Sequence, residues 1–121
     1  MKKFIAVLAL LFSVVSFAQK SPVTAAVIKD IEKQKEKIQT ELKKNDRNAA
    51  LATALALRAD VHRLYESASI AFAEKKEKLR IAEAAYLASG KTEKLIRSQY
   101  SDKEIEKSLD EIMKNLNSIK E

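Results

Sequence analysis

Proline does not occur after Pro22, and Gly90 is the only glycine in all 121 residues. Tight turns and hairpins draw on glycine and proline, so a chain this poor in both has almost no material for β-architecture. Alanine, leucine, glutamate and lysine fill the space instead, and all four are strong helix formers. The expected fold class is all-α, and the length allows one domain with one modest core.

The amino terminus reads as a segment apart. "MKK" is a charged start, "FIAVLALLFSVV" is apolar except for Ser13, and "SFA" places the small residues Ser16 and Ala18 before Gln19. This is the pattern of a secretory signal peptide over 1–18, leaving a single helical domain over 19–121. The apolar run is short for a membrane span. No cysteine follows it to carry a lipid. The expected location is the periplasm, with the extracellular space as the alternative. Without cysteine an exported chain forms no disulfide, so helix packing must hold the fold. Thiol catalysis, cysteine zinc sites and c-type haem attachment are excluded on the same ground.

In the expected mature chain 21 basic residues face 17 acidic ones, a net charge of +4. That balance permits weak contact with an anionic membrane surface, and solvated helix faces account for it as well.

Periodicity divides the domain. Ser21 and Pro22 read as a helix start. Ile28, Ile31, Ile38 and Leu42 form a narrow stripe, with Lys35 in its gap, so the first helix is predicted over about 23–44. "KNDRNAA" then supplies turn and cap formers, with Asp46 or Asn48 capping the next helix. From Ala49 to Ser89 there is neither glycine nor proline. The apolar stripe through Ala54, Leu57, Val61, Leu64, Ala68 and Ala71 resumes in phase at Leu79, Ala82 and Tyr86. Lys75 stands where the stripe needs a residue and can bury its stem. On this reading "EKKEKLR", residues 74–80, is the wet belt of one continuous helix of about 40 residues, roughly 60 Å long. Gly90 is the expected C-cap of that helix. Ser101 and Glu104 match a capping box. Ile105, Leu109, Ile112, Met113, Leu116 and Ile119 make an amphipathic stripe; whether 92–120 is one helix or two stays open. The expected architecture is antiparallel helical hairpins on a long central helix, elongated or loosely bundled. Its mature aromatics are only Phe72, Tyr65, Tyr86 and Tyr100, a lean core that a homo-oligomer would help.

Candidate sites are few. His62, the only histidine, stands one turn from Glu66, but two ligands are too few for a structural zinc. Haem held between His62 and Met113 is a second reading, yet Met113 lies on an apolar stripe where methionine fills core. Ser67, Ser69, Ser98 and Ser108 lie in helical patterns without a histidine placed as base, and no glycine loop can cradle phosphate. Carboxylates alternate with lysines, the pattern of solvated pairs. An enzyme is not expected, nor is a metal or cofactor. Lys75, Lys76, Lys78, Arg80, Lys91, Lys94 and Arg97 form the best candidate interaction surface. Acidic residues interrupt this run and no aromatics interleave to stack bases, which argues against nucleic acid.

The pieces "KDIEKQ", "NDRNAALATAL", "EKKEKL" and "GKTEKLI" resemble the domain of unknown function 1090 family, small helical periplasmic proteins. The resemblance spans most of the mature chain and implies a periplasmic location with no established activity. It carries over no functional residues. The function expected from the whole sequence is a non-enzymatic helical interaction protein, its partner an unknown periplasmic protein or itself. The alternative is a holdase-like or envelope-surface binder of anionic lipid or lipopolysaccharide.

Overall fold

A computed structural model describes residues 22–120. The expected signal peptide and its cleavage point lie outside these residues. Four helices and no strands make up the described chain: α1 Ala25–Lys43, α2 Arg47–Ala71, α3 Lys76–Arg97 and α4 Asp102–Ser118. The all-α class therefore holds. No helix among the described residues is long and apolar enough to cross a membrane.

Each helix packs antiparallel on the one before it, and α4 returns to α1, which closes an up-down-up-down bundle. Polar bridges record the register. Gln34 donates to Asp60 at 2.9 Å and Thr53 donates to Glu41 at 2.6 Å between α1 and α2. Arg58 meets Glu93 between α2 and α3. Thr92 meets Ser108 between α3 and α4. Lys35 Nζ lies 2.7 Å from Asp110 between α1 and α4. The lysine in the gap of the first stripe is thus half-buried, its ammonium on a carboxylate at the rim.

The core is aliphatic. Ile28, Ile31, Ile38 and Leu42 enter it from α1, Leu57, Val61 and Leu64 from α2, and Ile105, Leu109, Ile112 and Leu116 from α4. Helix α3 faces inward with Ala82, Ala85, Ala88, Ser89 and Thr92, and closes with Ile96. Small side chains let α3 sit close to its two neighbours, which contribute the bulk. Two of the buried hydroxyls meet there: Thr92 Oγ1 and Ser108 Oγ are 2.7 Å apart, and each also bonds a backbone carbonyl, of Ala88 and Ile105. These buried polar atoms are satisfied within the helices that carry them.

The first helix starts later than the sequence suggests. Thr24, extended at φ −99° and ψ 163°, accepts from the Val27 N–H and caps a helix that begins at Ala25, with Val23 and the cap itself between it and Pro22. Asp46 caps α2 by accepting from Ala49, and Ser101 caps α4 by accepting from Glu104.

The single long helix does not form. It breaks at residues 72–75, and "EKKEKLR" is the end of a turn followed by the first turns of α3. Phe72 closes α2 with its N–H on the Ala68 carbonyl, and Lys75 N–H bonds the Phe72 carbonyl at 2.9 Å. Nothing local enforces this break, since 72–75 contains neither glycine, proline nor a left-handed residue. Tertiary burial does. Helix propagation is worth less than about 0.3 kcal/mol per residue, so four residues lost from a helix forfeit on the order of 1 kcal/mol. Folding back buries Phe72, Ile96 and the inner face of α3, and each large side chain so buried contributes about 1.5–3 kcal/mol.

Gly90 likewise is no C-cap. It lies inside α3 with a negative φ, and the helix runs on to Arg97. Thr92 is buried mid-helix rather than starting a new one. Residues 92–120 form two helical pieces, separated at 98–101. The two turns that do use left-handed residues are built alike. Asn45, at φ 57°, bonds Leu42, and the next residue, Asp46, bonds back to Glu41. Gln99, also at φ 57°, bonds Ile96, and Tyr100 bonds back to Leu95. Both are Schellman closures of the preceding helix. Arg47 ties these turns together at one end of the bundle, donating to the Tyr100 carbonyl at 3.0 Å and lying 3.6 Å from Asp102.

Candidate functional site

The break at 72–75 leaves six of the seven basic residues on α3 and the seventh at its cap. Lys75 is the N-cap residue of α3, without a side-chain cap bond. Lys76, Lys78 and Arg80 occupy its first turns, and Lys91, Lys94 and Arg97 its last two. At 1.5 Å per residue, about 27 Å separate Lys76 from Lys94 along the axis. The seven residues do not form one patch. Lys75 and Lys78 turn toward the ring of Phe72, with their ammonium groups 6.0 and 5.4 Å from its centroid. Arg97 pairs along its own helix, its Nε 3.4 Å from Glu93. Lys76, Arg80, Lys91 and Lys94 remain, and their spacing of 4, 11 and 3 residues puts them on the one outer face of α3.

A denser cluster lies on the seam between α2 and α3. Arg58, His62 and Tyr65 follow one another at helical spacing along the flank of α2. Opposite stand Tyr86, Gly90 and Glu93 of α3. The rings of Tyr65 and Tyr86 stack at 5.8 Å, and the His62 ring lies 4.9 Å from that of Tyr86. His62 Nδ1 is 3.1 Å from Glu66. The Arg58 guanidinium sits over Tyr86, 5.9 Å from its centroid, and donates to Glu93 at 3.1 Å. Hydrogen bonding to Glu93, then to Tyr86, raises the pKa of Arg58 above its ordinary value, so it is a fixed cation. Glu93 is held by two arginines, Arg58 and Arg97.

Arg58 reaches across over Gly90. A Cβ at position 90 would lie 3.6–3.8 Å from the guanidinium, ordinary van der Waals contact, so the crossing does not require glycine there. Sequence reading missed this seam because Arg58 and Tyr86 fell on one straight helix, 28 residues apart, with Glu93 beyond its expected end at Gly90. The available signal was the 4-3 spacing of Arg58, His62 and Tyr65, a row of stacking side chains on one flank.

His62 is accordingly a surface residue engaged with Glu66 and Tyr86, while Met113 is buried in the core. Among the described residues no group of three or more histidine, aspartate or glutamate side chains is placed to hold a metal ion. Ser69 donates to the Glu66 carbonyl and Ser108 to that of Ile105, as helical hydroxyls do.

Four large apolar side chains stay exposed: Ile70 at 75%, Leu87 at 63%, Tyr100 at 54% and Leu55 at 41%. They sit on different turns of the bundle and are not joined into one patch by the basic residues. Neither family models, nor curated proteins, nor solved structures give a match to this chain.

Proposed function

We propose that this chain is an exported periplasmic protein that works without catalysis, as a helical protein-interaction module. The α2–α3 seam is its contact surface. The observation that supports this is the cluster of Arg58, His62, Tyr65 and Tyr86, held rigid by mutual stacking and by Glu93. Arginine and tyrosine are the residues that anchor protein interfaces, and a pre-ordered cluster loses little side-chain entropy on binding. The resemblance to the domain of unknown function 1090 family fits the same location and brings no activity with it.

The test is affinity capture from periplasmic extract with three proteins: the native chain, His62→Ala and Tyr86→Ser. All three are first checked for native helicity. One protein, or a second copy of this chain, held by the native form and lost with both variants is the expected result. The same set captured by all three would rule the seam out.

A holdase is the second reading, and one observation favours it. Leu55, Ile70, Leu87 and Tyr100 offer separated apolar contacts on an otherwise charged surface. Suppressed aggregation of an unrelated unfolded protein, at equimolar ratio, would favour the holdase over a dedicated partner.

A further inference from the structure

We propose that the outer face of α3 is a docking surface for an anionic lipid bilayer, with Leu87 as its point of insertion. This face is separate from the α2–α3 seam, so its failure would leave the protein-interaction reading standing.

Lys76, Arg80, Leu87, Lys91 and Lys94 follow at helical spacing along the solvent side of α3, and Glu83 is the one acidic residue among them. The neighbouring acids are already engaged. Glu77 accepts from Arg80 at 3.2 Å, and Glu93 lies between Arg58 and Arg97. Four basic side chains, set against Glu83 and the Glu77 that pairs with Arg80, leave the face two net positive charges along about 27 Å of helix. Its centre is apolar: Leu87 is 63% exposed, with two basic residues toward each end of the helix. No packing within the bundle accounts for a leucine there.

Charge complementarity identifies the occupant. Lysine and arginine stems are long enough to lie along a membrane surface with their charges at the headgroups, while a shorter apolar chain between them reaches the acyl boundary. A bilayer bearing anionic headgroups presents the matching layer of negative charge. Each basic residue brought to such a surface strengthens binding about fivefold, and salt weakens it within a Debye length of about 10 Å. Two net charges and one partly inserted leucine give reversible attachment of a peripheral protein, not an anchor.

The experiment is sedimentation of the mature chain with large vesicles. One set contains equal parts phosphatidylglycerol and phosphatidylcholine, the other phosphatidylcholine alone. At low salt the protein is expected to sediment with the first set and not the second, and to be released as salt is raised. The fourfold variant Lys76→Gln, Arg80→Gln, Lys91→Gln, Lys94→Gln should lose at least tenfold in binding. A matched variant on the outer side of α1, with Lys29, Lys33, Lys37 and Lys43 each changed to Gln, should lose less than threefold. Circular dichroism confirms that both are folded. The chain contains no tryptophan, so Leu87→Trp supplies a single probe of insertion. Its emission should shift to the blue only with the anionic vesicles. Three outcomes would overturn the proposal: equal loss in the two fourfold variants, which would mean attraction by net charge alone; no shift from Trp at 87 in bound protein; or no binding to anionic vesicles at low salt, which would turn the face over to an acidic protein partner.

Discussion

The one glycine stands where no glycine is needed, and a left-handed turn that favours glycine is held by Gln99. Moving the glycine tests both placements at once. Gly90 lies inside α3 with a negative φ, and an added Cβ would meet the Arg58 guanidinium at 3.6–3.8 Å, ordinary van der Waals contact. Gly90→Ala therefore gains the helix propensity difference, about 1 kcal/mol, without steric penalty. Gln99 sits at φ 57°, where a side chain costs about 1–2 kcal/mol. Gln99→Gly relieves that strain but adds unfolded-state freedom of about 0.5–1 kcal/mol, for a net gain of about 0.5–1 kcal/mol. Asn45 has the same φ but tolerates it better, so Asn45→Gly should gain only a few tenths of a kcal/mol. Position 90 lies about two turns before the end of α3 and position 99 just beyond it, on the order of 10 Å away, so their effects should add to about 1.5–2 kcal/mol. Urea denaturation followed by circular dichroism at 222 nm measures each variant, with an unchanged slope as the check on two-state unfolding. The sign at position 90 decides. Were Gly90 a left-handed C-cap, as its place in the sequence suggests, alanine there would destabilise by about 1 kcal/mol instead of stabilising. A destabilised Gly90→Ala would refute both the unbroken α3 and the lie of Arg58 across it.

Lys76→Pro should change stability by less than about 1 kcal/mol, because Lys76 is the first residue of α3 and the helical ladder begins with Leu79 bonding Lys75. Glu83→Pro, in the interior of the same helix, should cost about 3 kcal/mol or more in the same urea assay. Native trypsin digestion should cut first after Lys75 or Lys76 rather than near Gly90, and mass spectrometry of the first fragments reads this directly. Phe72→Ala should cost about 3–5 kcal/mol by thermal or urea melts, since its ring is 2% exposed at the fold-back between α2 and α3. Thr92→Val should cost less than about 1 kcal/mol, because Ser108 keeps its bond to the Ile105 carbonyl. The double variant Thr92→Val, Ser108→Ala should cost no more than the single change.

The helices themselves were legible because their stripes are local. Ile28, Ile31, Ile38 and Leu42 read as a core face and are one. Ile105 through Leu116 likewise, with Ser101 as cap. Asp46 was legible as a cap for the same reason: its side chain acts on an N–H three residues away. The fold-back at 72–75 was not legible by these means. Leu79 stands seven residues after Phe72, so the stripe stays in phase through a turn that interrupts it, and every residue from 73 to 78 favours helix. A seven-residue interval cannot distinguish two turns of helix from a reversal that starts a new one. The basic run was read across an expected helix end at Gly90, whereas α3 carries six of its seven residues on one helix and Lys75 at its cap.

What the turn leaves in the sequence is a defect in the stripe. A helix running through 72–79 with Phe72 and Leu79 inward needs an apolar residue at 75 or 76, and both are lysine. Taken as a buried stem, Lys75 can be excused; two consecutive lysines at the only inward positions cannot. In the structure the defect is the place where the chain leaves the core. Phe72, the cap of α2, turns in at the end of that helix, and Lys75 and Lys78 fold over its ring, their charges outside. The alanines that follow complete the reason. Ala82, Ala85 and Ala88 are a weak core face alone, with little area to bury in an extended hairpin. Set between α2 and α4, they allow the close approach through which the larger side chains of both neighbours are shielded from water. An alanine face needs bulky helices on both sides, and a chain with isoleucine and leucine on α1, α2 and α4 can provide them only by closing into a bundle.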